Sequence, residues 1–343
     1  MSKTIYYLGA GASYGKRDES KNILEGLPVV SEIPQEFDAF YDFIKTVKIP
    51  EKDYIVYWRL YKKTPADVTR ERDQLLQDIN DLKAAIKEHA TIDTYARKLY
   101  LTGKSRQFSK LKDVLCAFFF WEQFQHKSDN RYDTFLANVL LAETLSLPKE
   151  ISIISWNYDS QIESAYWAYT QEKVLPLFEK NTSGKWHQLT EEGRIIKVNG
   201  SAVFSDGMII PYITGDAETP IELQLIESYS NTHVDTSEMG FQFKTHLSFA
   251  WEHSENSQKM KDTIKATVED TEQIVVVGYS FPFFNRETDR EIFRNMKSLK
   301  KVYIQDPNPK AVRLSLEAVL PDNSSVEIVE LSDCTQFYLP KEL

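Results

Sequence analysis

Four short stretches of this chain combine residue types that can hold and act on a phosphorylated nucleotide. They are Gly9, Ala10, Gly11, Ala12 and Ser13; then Trp156, Asn157, Tyr158 and Asp159; then Asn199, Gly200 and Ser201; and last Gly278, Tyr279 and Ser280. Glycines let backbone approach a pyrophosphate closely, and a helix starting behind them would add unpaired N–H donors and a favourable dipole. An asparagine amide can both donate and accept, and an aspartate can stabilise positive charge developing on a sugar. Each stretch alone has a plainer explanation. A tight turn needs glycine, and Asn-x-Asp before a helix can simply cap it. The usual dinucleotide fingerprint also wants a third glycine where Tyr14 stands, with Gly15 one place late. The signal is therefore the set of four, drawn from distant parts of the chain.

The elements around them supply a reason for convergence. Residues 3–8 read as a short apolar strand running into the first glycine turn and a helix start. Residues 150–155 (EISIIS) are strand-like and precede the Asn-Tyr-Asp stretch, with a helix following to about Thr170. Residues 194–198 form another strand before Asn199. Residues 272–277 (EQIVVV) end in an apolar run of the kind buried on both faces of a parallel sheet. A helix over 287–297, a strand over 301–305, a cap at Asp306-Pro307-Asn308-Pro309 and a last strand over 326–331 complete the series. Strands alternating with helices imply right-handed βαβ units, so the expected fold is α/β, a Rossmann-like doubly wound parallel sheet. In such sheets ligands bind beyond the carboxyl ends of the strands, where all four stretches fall.

Residues 34–147 break this rhythm. Residues 66–89 are charged and amphipathic, residues 108–124 are strongly apolar, and residues 132–145 keep a 3.6-residue period, which together read as a large helical insertion. The expected organisation is a nucleotide-binding core over 1–33 and 148–343 with a helical subdomain over 34–147. Residues 205–265 show no clear repeat apart from a helix near their end.

In order and type the four stretches resemble the sirtuin-like NAD-handling domains. That resemblance implies that Gly9, Ala10, Gly11, Ala12 and Ser13 hold the NAD pyrophosphate. It matches Asn157 to the family's catalytic asparagine, which positions ribose and nucleophile, and Asp159 to the acidic residue near the nicotinamide amide. Asn199 falls where the family usually has its catalytic histidine and is expected to hold a ribose hydroxyl without deprotonating it, with Gly200 and Ser201 beside it among the residues that bind the dinucleotide. Gly278 and Ser280 match the loop that touches phosphate and ribose, and Asp306 and Asn308 fall where the adenosine ribose is held. The deacylase branch carries a four-cysteine zinc module, whereas this chain has only Cys116 and Cys334. A helical insertion in that place is similar to bacterial anti-phage effectors that split NAD into nicotinamide and ADP-ribose.

The resemblance thus implies NAD as substrate or ligand, no metal, and a trigger through homo-oligomer assembly or a separate sensor protein. An amide at position 199 cannot take a proton as imidazole can, which forfeits about 10²–10⁴-fold of base catalysis and keeps open a binding subunit without turnover. His126, His187, His233, His246 and His253 lie outside the four stretches and are read as surface or packing residues. Residues 118–121 (FFFW) are read as core or interface aromatics.

Composition narrows the field further. The 343 residues are 42% hydrophobic, 13% aromatic and 27% charged, which suits an ordinary globular chain long enough for two lobes. The net charge of −10 opposes a general nucleic-acid surface. With no apolar run of spanning length and no signal-peptide pattern at the start, the expected location is the cytoplasm, away from membranes.

Overall fold

The computed structural model describes residues 3–56, 61–89, 91–170, 194–204, 220–233, 245–252, 255–322 and 324–341. The chain forms two compact units. The first comprises Met1–Leu27, His126–Ser201 and Ser248–Leu343, and the second Pro28–Gln125 and Ala202–Leu247.

The first unit is built on a six-stranded sheet. Its strands are β1 (Thr4–Leu8), β2 (Ile151–Ser155), β3 (Arg194–Lys197), β4 (Gln273–Val277), β5 (Lys301–Gln305) and β6 (Glu327–Leu331). They lie in the order β3-β2-β1-β4-β5-β6, and every adjacent pair is parallel. The sequence dictates this burial directly. Every residue of β1, β2 and β4 is buried, which requires apolar side chains in both alternating sets. One face packs Ile5, Tyr7, Ile154, Ile274, Val276, Val302 and Ile304 beneath the helices Arg286–Asn295 and Pro309–Glu317. The other packs Tyr6, Leu8, Ile153, Val275 and Val277 against Tyr132, Phe135 and Leu136 of the helix Asn130–Val139. Each fully buried aliphatic side chain contributes roughly 1.5–3 kcal/mol, so the double-sided core dominates the unit's stability.

The strand order reverses between β1 and β4, and the register is flush there. Leu8 pairs with Val277 and with Ser155, Val277 with Gln305, and Ser155 with Lys197. The first residues past the sheet edge are therefore Gly9, Trp156, Val198, Gly278 and Asp306, all at one level.

The second unit is mainly helical: Ile33–Thr46, Pro65–Lys87, Ile92–Leu101, Ser105–Gln125 and Ile221–Asn231. Pro65–Lys87 begins in a capping box, in which Thr64 Oγ1 accepts from Asp67 N and the Asp67 carboxylate accepts from Thr64 N. The 118–121 aromatics are core residues: Phe118 is fully buried and stacks on Phe37 with ring centroids 4.3 Å apart. Segment 202–247 belongs to this unit. Its Tyr229 hydroxyl donates to Asp78 at 2.6 Å, and Lys110 Nζ reaches the same buried carboxylate at 2.6 Å. Among the described residues, no helix is long and apolar enough to cross a membrane.

Candidate functional site

At the reversal point the 9–13 turn departs from its sequence expectation. It forms a 3-10 turn, Ala10–Ser13, and then a small hairpin of Lys16–Arg17 with Ile23–Glu25, with no α-helix behind it. Three of the loop's donors are also occupied. Gly9 N donates to Val277 O at 3.0 Å, Gly11 N to Gly278 O at 3.0 Å, and Ala12 N to Gly9 O at 2.8 Å. No helix dipole stands here, and these three amides are satisfied within the protein.

The glycines are required by the fold itself. A Cβ on Gly9 would lie 2.6 Å from Gly278 O and Tyr279 Cα, and a Cβ on Gly11 would lie 2.7 Å from Gly278 Cα. Gly278 takes φ +58, and a Cβ there would lie 2.3 Å from Gly11 Cα. Loops 9–13 and 278–280 thus interlock backbone to backbone where the strand order reverses.

Asn157 meets this junction from β2. Its Nδ2 donates to Gly9 O at 2.9 Å and to Ser13 Oγ at 3.0 Å. A carbonyl oxygen can only accept, so the amide orientation is fixed by chemistry, and both N–H groups are engaged. What Asn157 can offer a ligand is therefore Oδ1, an acceptor for a water or sugar hydroxyl. The side chain is only 7% exposed, so it is recessed beneath the loop edge. Ser13 Oγ also lies 2.9 Å from the Tyr132 hydroxyl, whose burial pushes its pKa well above the ordinary phenol range and keeps it protonated.

Asp159 is buried, and one carboxylate oxygen accepts from Gln161 N at 3.0 Å, closing an Asx turn at the start of helix Gln161–Thr170. Its backbone carbonyl accepts from Lys197 Nζ. Lys197 is itself buried and lies 3.3 Å from Glu163, whose carboxyl is pushed up by burial against the pull of that ammonium. Asn199 carries a clear structural role: its Nδ2 donates to Trp156 O at 3.1 Å, and its Oδ1 accepts from Ala250 N at 3.0 Å. It clips the loop after β2 to residue 250. Gly200 takes φ +67 where the strand Gly200–Phe204 begins, and Ser201 is buried in that strand.

Ser280 is exposed at the sheet edge. Asp306 accepts from Asn308 N at 2.8 Å, and Asn308 caps helix Pro309–Glu317 by accepting from Ala311 N at 3.4 Å. Contacts therefore unite Gly9, Gly11, Ser13, Asn157 and Gly278, while Asp306 and Asn308 stand one strand further out. Of the histidines, His233 lies in the second unit, 4.0 Å from Asp113, whereas His187 and His253 fall outside the described residues. Among the described residues, no group of three or more His, Cys, Asp or Glu could hold a metal ion.

Sequence reasoning missed a carboxyl beneath the second loop. Asp289 is fully buried and accepts from the hydroxyls of Tyr7 at 2.5 Å and Tyr279 at 3.0 Å. Burial outweighs these two bonds and raises its pKa from 3.8 to about 7. An acid whose folded pKa is raised stabilises the fold at low pH and loses that contribution as pH rises through the folded value. The stability of the wild type relative to Asp289→Asn is thus expected to fall between about pH 4 and pH 7, by roughly 4 kcal/mol at most. Urea titrations of both proteins across that range check this, and a pH-independent difference would refute it.

Comparison of the sequence with protein-family models and with curated proteins gives no match.

Proposed function

We propose that the first unit is a sirtuin-like domain that binds NAD across the β1/β4 reversal and cleaves it to nicotinamide and ADP-ribose. The observation carrying this reading is topological. A fully parallel sheet in the order β3-β2-β1-β4-β5-β6 opens its crevice beyond the carboxyl ends of β1 and β4, where doubly wound folds take dinucleotides. Loops 9–13 and 278–280 and Asn157 meet at that point. Nicotinamide in NAD is already a cationic leaving group, so a recessed site needs chiefly to stabilise an oxocarbenium-like transition state and admit water. In this reading Asn157 Oδ1 orients the water or a ribose hydroxyl, and Asp159 stabilises the developing positive charge through the carboxylate oxygen outside its Asx turn. The further reading as an anti-phage effector, triggered by self-assembly or by a sensor protein, rests on the resemblance alone.

A second reading is favoured by Asn199. Its amide is engaged at both ends by backbone, and it cannot act as a base, so a domain that binds NAD or ADP-ribose without turnover keeps every contact described. Incubating the protein with NAD and resolving products by chromatography, alongside calorimetry, separates the two. Nicotinamide and ADP-ribose in equal amounts support cleavage, binding without product supports the second reading, and neither binding nor product removes both.

A further inference from the structure

We propose that Arg131 is a positioning residue that sets the 9–13 turn in the form that receives a dinucleotide, an inference that rests on the NAD reading above. Its guanidinium is largely buried and joins the first glycine turn to Asp129 and to the segment around Cys334. Nη2 donates to Gly11 O at 2.8 Å and Ala12 O at 3.4 Å, and Nη1 donates to Cys334 O at 3.2 Å. Nε lies 3.0 Å from both carboxylate oxygens of Asp129, and Nη2 reaches Asp129 Oδ2 at 2.5 Å. The Phe337 ring centroid lies 5.4 Å from its central carbon.

Asp129 extends the clamp to the far end of the turn. Its Oδ2 accepts from Gly15 N at 2.8 Å, and its own N–H donates to Gln161 Oε1 at 2.6 Å, while Gln161 Nε2 reaches Ser13 O at 3.3 Å. The carbonyls of Gly11, Ala12 and Ser13 thus each accept from a side-chain donor of this cluster, Ser13 O from Leu27 N at 2.7 Å as well. Carbonyl oxygens carry partial negative charge, so binding three of them to donors of the protein lowers the repulsion a pyrophosphate would meet at this turn. Only a planar fork of five donors can serve three carbonyls and a carboxylate at once, which a lysine ammonium cannot reproduce.

Arg131→Lys tests this in the full-length protein, with NAD as the probe. The expected result is a calorimetric Kd for NAD at least tenfold above wild type, with KM raised in step and kcat within about twofold, because Arg131 does not touch the reacting bond. Asn157→Ala should show the opposite split. Should Arg131→Lys fail to fold, Asp129→Asn, which keeps the shape and removes the charge that holds the fork, is expected to weaken NAD in the same direction. A variant that melts at a lower temperature yet binds NAD as wild type does would make Arg131 merely structural and overturn the proposal. Failure of both variants to fold would do the same. A wild type that does not bind NAD would instead remove the dinucleotide reading, and this inference with it.

Discussion

Under the proposed cleavage of NAD, Asn157→Ala is expected to lower the rate of nicotinamide release by on the order of 10²–10³-fold, the usual effect of deleting one preorganised polar group at a transition state. The substitution removes Oδ1, the one acceptor the side chain has left after its two N–H groups are taken by Gly9 O and Ser13 Oγ. It also removes one donor from Gly9 O, which keeps Ala12 N, and one from Ser13 Oγ, at a cost of about 0.5–1.5 kcal/mol of stability per hydrogen bond. Asn157→Asp is the sharper companion. It retains an acceptor for the water but sets a carboxylate oxygen against Gly9 O, so it should be the less stable of the two and inactive as well. Single-turnover assays with thermal melts on both variants check these outcomes. Equal nicotinamide release by wild type and Asn157→Ala would remove the mechanism.

Gly278→Ala is expected to be among the most destabilising single substitutions in the chain, by more than about 3 kcal/mol. Two effects act together there: a left-handed backbone that L residues adopt only at a cost, and a Cβ placed 2.3 Å from Gly11 Cα. That neighbour is backbone and cannot swing aside. Gly103 is the internal control, because it too has a positive φ, +67, but its added Cβ meets nothing within 4 Å. Gly103→Ala should therefore register the backbone cost alone, about 1 kcal/mol. Denaturant midpoints for the pair measure the interlock of the two loops directly. Similar losses at both positions would show that the loops can part.

The sheet was legible because its signals are local. Continuous β-branched runs such as residues 274–277, too short for a helix, suit a strand buried on both faces, and each ends in a turn residue of recognisable type. The strand ends fell within a residue or two of their expected places, and so did the Asn308 cap. The behaviour of the first glycine turn was not legible. Glycines that admit a phosphate and glycines that admit another loop look alike in sequence, and only the tertiary approach of Gly278 separates them.

The residues that fix the site were missed for a related reason. Asp129, Arg131 and Tyr132 begin a helix whose period resembles that of the preceding helices, so nothing local tied them to a turn more than a hundred residues earlier. Asp289 sits in a first helical turn, where an acidic residue is ordinarily explained by the dipole, and its burial against Tyr7 and Tyr279 follows only from packing. Asn199 was legible as a residue at the sheet edge. Its clip to Ala250 depends on a loop that carries no pattern.

Hydrogen exchange of the full-length protein with and without NAD tests the central claim most directly. If a dinucleotide lies across the β1/β4 reversal, NAD should slow exchange in segments 9–15, 156–161 and 278–285 together, and leave helices such as Ile92–Leu101 in the second unit unchanged. Unchanged exchange in all three segments at saturating NAD, or protection confined to other parts of the chain, would contradict it.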